Sequence, residues 1–226
     1  MFDLHCHCFL SDGELLPSEL VRRVEVMGYR AVAITDHADA SNLEHVVSSI
    51  VRVTADINKM SGTCLFPGVE LTHVHPELIA RLTEDARRLG ALIVVCHGET
   101  IVEPVRPGTN RAAIEAGVDI LSHPGLLDPD DARRAAEKGV LLEISGRKGH
   151  CLTNGHVAKV ARTAGARLVI NSDAHAPGDF MTSDHARRVG MGAGLSGEEV
   201  DRIYEDVSKQ LSAISFQLSA KTIADS

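Results

Sequence analysis

Tryptophan is absent from this 226-residue chain and aromatic side chains make up only 3% of it, so its core must be built mostly from Val, Leu, Ile and Ala. No apolar stretch approaches the roughly 18–20 residues that cross a bilayer, which excludes a membrane-spanning helix. The N-terminus begins with a His-rich, strand-like segment, and no secretory signal is read there. The five cysteines, at 6, 8, 64, 96 and 151, are odd in number and scattered. That usage points to reduced thiols in a cytoplasmic protein, not a disulfide framework. Basic residues are in the minority, and the net charge of −8 argues against any nucleic-acid partner beyond short oligonucleotides. Walker Gly-Lys-Ser/Thr and Gly-x-Ser-x-Gly motifs are missing, as are linkers and low-complexity segments. The glycine-rich stretch GMGAGLSG (190–197) follows no strand and reads as a flexible turn.

Short apolar runs alternate with helical patterns along most of the chain. Strands are expected at Phe2–Cys6, Ala31–Thr35, Cys64–Glu70, Ala91–Cys96, Val118–Ser122, Val140–Ile144 and Leu168–Asn171. Helices are expected at about 17–28, 42–60, 76–89, 108–116, 129–138 and 154–164, several opened by Pro and closed by Gly. Glycines at 28, 62, 90, 117, 139 and 165 each precede a strand and suit a left-handed helix stop, and Asn154 is placed to cap the helix it begins. Seven such units with continuously apolar strands imply an α/β protein with a closed or nearly closed parallel barrel. The whole chain, 1–226, is read as one domain, with a helical C-terminal segment at about 184–218 serving as barrel cover or oligomer contact.

The chemistry is carried by where His, Asp and Glu fall. His37, Glu70, His97, His123 and Asp173 each stand where an apolar run stops, which is the end of a barrel strand that carries active sites. His5 and His7 share one face of an extended segment, while Cys6 and Cys8 share the other as small buried residues. With Asp12 and His175 the set reaches six histidines and three carboxylates, too many for one tetrahedral ion. Two or three divalent ions (Zn, Mn or Fe) suit it, with Glu70 or Asp173 able to bridge. Arg147 and Lys148 follow the sixth strand and are candidate phosphate contacts, with Arg106 and Arg111 as second choices. Glu99, Glu103, His45, His73, His75, His150, His156 and His185 are read as structural or surface groups, although Glu99, Glu103 and His73 could touch a polar leaving group.

At HCHCFLSDG (5–13), ITDHA (34–38), GVE (68–70), CHGE (96–99), LSHPG (121–125) and SDAH (172–175), the chain resembles the polymerase-and-histidinol-phosphatase (PHP) superfamily. The resemblance implies a distorted seven-stranded, TIM-like (β/α)7 barrel with a trinuclear site. By analogy His5, His7, Glu70 and Asp173 would hold one ion, and Glu70 would bridge to a second on His97 and His123. Asp12, His37 and His175 would hold the third, with Asp12 standing where some relatives have His. Catalysis is then expected to rest on Glu70, Asp173 and His175. The activity expected is hydrolysis of a small phosphorylated metabolite, of the histidinol-phosphate or nucleotide kind, by in-line attack of a metal-bound hydroxide. The competing expectations are amidohydrolase-type C–N cleavage and a non-catalytic PHP module.

Overall fold

A computed structural model describes the backbone of residues 1–224 and side chains through 214. Eight strands form one parallel sheet: β1 (Phe2–Asp3), β2 (Ala31–Ile34), β3 (His37–Ala38), β4 (Cys64–Leu71), β5 (Ile93–His97), β6 (Ile120–Ser122), β7 (Leu141–Ser145) and β8 (Leu168–Asn171). Seven of them run in the order β1-β2-β4-β5-β6-β7-β8, and β3 pairs with β4 off that path. The connecting helices are α1 (Pro17–Val26), α2 (Leu43–Met60), α3 (Pro76–Arg88), α4 (Thr109–Ala116), α5 (Pro129–Lys138) and α6 (Asn154–Ala164). Helices α7 (Ser183–Gly192) and α8 (Gly197–Ala224) follow β8. The architecture is a nearly closed, distorted TIM-like (β/α)7 barrel.

The seam between β8 and β1 explains the distortion. A parallel bridge joins Cys6 to Ala174, and the His7 amide donates to the Ala174 carbonyl at 2.8 Å. Below that point side chains replace the ladder. The Leu4 amide donates to Asn171 Oδ1 at 3.0 Å, and the Ser172 amide donates to Asp3 Oδ2 at 3.0 Å. Regular pairing of β1 therefore stops at Asp3, short of the expected Cys6.

Strand alternation sorts the rest. Phe66, Ile93, Val95, Ile120, Leu141 and Val169 fill the barrel interior, while Val94, Cys96, Leu121, Leu142 and Ile170 pack outward against the helices. Burying side chains of this size contributes about 1.5–3 kcal/mol each. Two steps above Val95 on the same face comes His97, and two steps above Leu141 comes Glu143. The apolar plug thus ends where the polar rim begins.

Local signals account for most helix ends. Gly28, Gly90, Gly117, Gly139 and Gly165 all take positive φ after a helix. Gly62 does not: α2 ends on extended Ser61, and Glu25 holds the turn by accepting from the Gly62 amide at 2.6 Å. Asn154 does not cap α6; its amide side chain bonds both backbone groups of Ser145, tying α6 to the end of β7. The GMGAGLSG stretch is helical through Gly192, so only its middle turns. Among the described residues no helix is long and apolar enough to cross a membrane.

Candidate metal centre

The carboxyl ends of the strands bring His5, His7, Asp12, His37, Glu70, His97, His123, Asp173 and His175 to one end of the barrel. His5, His7, Glu70, His97, His123 and Asp173 are buried, His37 and His175 are half-buried, and Asp12 stands exposed at the mouth. Glu70 and Asp173 lie at the middle. His5 Nε2 is 3.2 Å from Glu70 Oε1 and 3.7 Å from Asp173 Oδ1, and His7 Nε2 is 3.3 Å from the same Asp173 oxygen. His123 Nε2 is 3.7 Å from one oxygen of each carboxylate. On the other side His175 Nε2 is 3.2 Å from Asp12 Oδ1 and 3.4 Å from His37 Nε2, with His37 Nε2 3.5 Å from Asp12.

These side chains fit divalent ions on three grounds. Bonds of about 2.0–2.1 Å in a tetrahedron put ligand atoms about 3.3–3.4 Å apart, within the 3.2–3.7 Å range of the separations here. His5 Nε2, both ring nitrogens of His7, and His123 Nδ1 are buried without a hydrogen-bond partner, a costly state for polar atoms unless a ligand meets them. Groups of three or four such donors fall within 4.8 Å of one another, among them His5–His7–Glu70, His5–His123–Asp173 and His7–Asp12–His37–His175.

Burial pushes His7 and His123 well below the usual imidazole range, reinforced by neighbouring imidazoles, and lowers His97 as well. Rings held neutral in this way offer lone pairs to a cation. Burial would lower His5 too, but the carboxylates of Glu143, Glu70 and Asp173 reverse the direction and raise it. Burial, with the charges of Glu70 and Glu143, raises Asp173 well above the carboxylate range. Against its own burial, Glu70 is held well below that range by His5 and His37. Such crowded negative charge calls for cations.

Three residues beyond the expected set shape the site. Glu143, fully buried, accepts from His5 Nδ1 at 2.8 Å, from Asn171 Nδ2 at 2.9 Å and from the His123 amide at 3.0 Å. It fixes the His5 tautomer so that Nε2 faces Glu70 and Asp173. Its signal was a Glu inside the apolar run VLLEIS. His150, read from sequence as structural, instead lines the cavity on a short turn after β7. Its ring stacks on His123 at 4.0 Å and its Nδ1 lies 2.9 Å from Thr100 Oγ1. Burial lowers it to about 4. Asp36 accepts from the amide and thiol of Cys8 and from Ser11, anchoring the loop that carries Asp12.

Of the basic candidates, Arg147 lines the cavity, with its guanidinium 2.7 Å from His175 Nδ1 and donating to the Asp173 carbonyl at 3.1 Å. Lys148 is exposed and outside the cavity lining, and Arg111 pairs with Asp131. His75 accepts from the Glu77 amide at the start of α3, and His156 donates to the Leu127 carbonyl. The cavity holds about 180 Å³. A larger one of about 940 Å³ lies at the opposite end, beside Phe2, Phe66 and Tyr204, away from every metal-type donor group.

A profile of the PHP domain matches residues 3–151. Over 212 residues the chain is 45% identical to an uncharacterized protein of Methanocaldococcus jannaschii, covering 93% of this chain and 97% of the relative. It is 30% identical over 213 residues to a probable phosphatase of Edwardsiella ictaluri, covering 83% of each. Histidinol phosphate phosphatase from Lactococcus lactis subsp. lactis, solved with zinc, L-histidinol and phosphate, shares the fold with a TM-score of 0.59 at 15% identity, over 86% of this chain and 94% of that one. The profile spans more than half of the chain, and on that match the protein belongs to the PHP-domain family.

Proposed function

We propose that this chain is a metal-dependent phosphoesterase that hydrolyses a small phosphorylated metabolite, using two or three divalent ions held by the nine residues of the rim. The observation that carries this reading is the placement of Arg147 beside Asp173 and His175, in the cavity where Glu70 and Asp173 face converging imidazoles. Divalent ions in such a set supply Lewis acidity toward a phosphoryl oxygen and activate water near neutral pH. The residues do the rest. Glu70 and Asp173 each face more than one imidazole and would hold the ions together with those rings. His175, its Nδ1 at 3.0 Å from the Asp173 carbonyl, keeps Nε2 toward Asp12 and His37. The Arg147 guanidinium offers a planar donor fork to a nonbridging phosphate oxygen. A cavity of about 180 Å³ suits the end of a small phosphorylated molecule and not a long polymer bound within it. In this reading the whole chain acts as one unit, with Val207 and Leu211 of α8 packed on Phe2 and Leu4 beneath the barrel.

Support comes also from the relative named a probable phosphatase and from the zinc, L-histidinol and phosphate bound by the Lactococcus enzyme of the same fold. The experiment is phosphate release from a panel of monoesters, cyclic phosphates and short oligonucleotides by Mn- or Zn-loaded protein, with ammonia release assayed in parallel. Phosphate release that chelator abolishes, metal restores and Glu70→Ala eliminates is the expected result. Ammonia release instead would make the chain a C–N hydrolase. Silence in both assays with metal bound would leave a non-catalytic module.

A further inference from the structure

Outside the nine-residue set, one rim carboxylate gathers three imidazoles. Glu103 sits in the loop after β5, facing His73 from the loop after β4, His97 at the end of β5, and His150. Its Oε2 lies 3.2 Å from His73 Nε2 and 3.1 Å from His97 Nε2, and its Oε1 lies 3.5 Å from His150 Nε2. The tautomer of His97 is fixed by its surroundings. Its Nδ1 lies 3.1 Å from the Gly98 carbonyl, which can only accept, so Nδ1 carries the hydrogen and the neutral ring turns a lone pair on Nε2 toward Glu103. A lone pair and a carboxylate oxygen at this distance repel unless a cation lies between them. His73 can meet the same oxygen as an Nε2–H donor, so the contact that asks for a cation is the one from His97. One ion with bonds of about 2.0–2.2 Å reproduces both separations at angles of about 100°. Two imidazoles and a carboxylate form a ligand set that leaves open positions.

The backbone marks the same residue. Among the described residues, three that are not Gly have positive φ: His73 at 52°, His123 at 26° and Asp173 at 56°. Such strained conformations collect at functional sites. Two of the three are members of the proposed centre, and His73 is the third.

We infer that His73, His97 and Glu103 form an outer divalent-cation site at the rim, sharing His97 with the nine-residue centre. His97 Nε2 serves one ion at a time, so an ion held outside takes that ring from the inner set. His150, whose ligand atom lies within 4.8 Å of those of His97 and His123, then stands in beside His123. The outer site is the accessible one, with 43% of the His73 side chain and 37% of the Glu103 side chain exposed.

The test is equilibrium dialysis of the full-length protein against buffered free Zn²⁺, with bound metal counted by mass spectrometry, and a Co²⁺ titration followed by visible absorption. The variants are Glu103→Gln and His73→Asn, the latter because Asn tolerates positive φ. Each variant is expected to hold one equivalent less than wild type and to lack one step of the Co²⁺ titration, with an unchanged circular dichroism spectrum. Equal stoichiometry and equal stepwise affinity in both variants would overturn the outer site while leaving the phosphoesterase reading intact. Absence of metal uptake by wild type would sink both.

Discussion

Glu143 touches no proposed ion, yet its replacement by Gln should weaken metal binding at two positions. One carboxylate oxygen takes the His5 imidazole and the Asn171 amide, and the other takes the His123 backbone amide. Gln has a single acceptor. Placed toward His5 and Asn171, it turns its NH₂ group against the His123 N–H. The opposite placement strands two donors instead of one, so the first is favoured. Two losses follow. His5 keeps its hydrogen bond but loses the charge that makes its Nε2 more basic, and the positive-φ segment at His123 loses its anchor. Removing a carboxylate of this kind behind a ligating imidazole costs about 10–100-fold in metal affinity, or about 1.4–2.7 kcal/mol at 1.36 kcal/mol per factor of ten. The stranded amide adds about 1–3 kcal/mol of lost folding stability, metal aside. Competitive titration of Zn²⁺ against a chromophoric chelator reads the first quantity, and urea unfolding in chelator reads the second. A Glu143→Gln protein that folds and binds Zn²⁺ within twofold of wild type would refute the argument that this residue orients the centre.

Three further outcomes follow from the site. Arg147→Ala should raise KM roughly tenfold or more, as expected for loss of a charge-assisted hydrogen bond worth about 1.5–3 kcal/mol; steady-state kinetics with the best phosphoester decides, and an unchanged KM removes Arg147 from substrate contact. His150, lowered to about 4 by burial, is less protonated in the folded than in the unfolded chain between pH 4 and 6.5, so its contribution is present above 6.5 and is lost as pH falls toward 4. In chelator, wild type should therefore lose on the order of 2–3 kcal/mol more than His150→Phe across that window; parallel urea profiles for the two proteins would contradict this. Gly125→Ala should destabilise by more than about 1 kcal/mol, because a Cβ at φ +66° collides with the Glu99 backbone. Thermal unfolding checks it, and an unchanged Tm would show that the loop bearing His123 can shift aside.

The barrel was legible because its interior and exterior layers are written as apolar runs of strand length, bounded by Pro at helix starts and Gly at most helix ends. What sequence did not show came from tertiary substitution for local rules. At the β8–β1 seam, Asn171 and Asp3 replace ladder bonds with side-chain bonds between residues 167 and 169 positions apart in the chain. No pattern near Phe2 announces that. Gly62 lacks the left-handed turn of its counterparts because Glu25, 37 residues away, holds the turn from outside.

The rim divides along the same line. Residues at the ends of strands could be placed from sequence, because a strand fixes both the face and the height of its last side chain. His97 follows from Ile93 and Val95 by counting in twos, and Glu143 follows from Leu141 by the same count. The second was open to reading: a carboxylate on the inward face of a barrel strand is too expensive to bury without partners, so the VLLEIS run already implied a group waiting to donate to it. His150 had no such warrant. It sits on an irregular turn, and its position depends on Thr100, 50 residues earlier, whose hydroxyl meets its Nδ1. Periodicity is silent about side chains delivered by loops, which is why sequence offers His73 and Glu103 at most as leaving-group contacts and His150 only as a structural or surface group. The geometry that gathers them also separates a ligand from a bystander. A histidine whose Nδ1 is fixed by a neighbour has only Nε2 to offer, and in His5 and His97 that nitrogen faces a carboxylate.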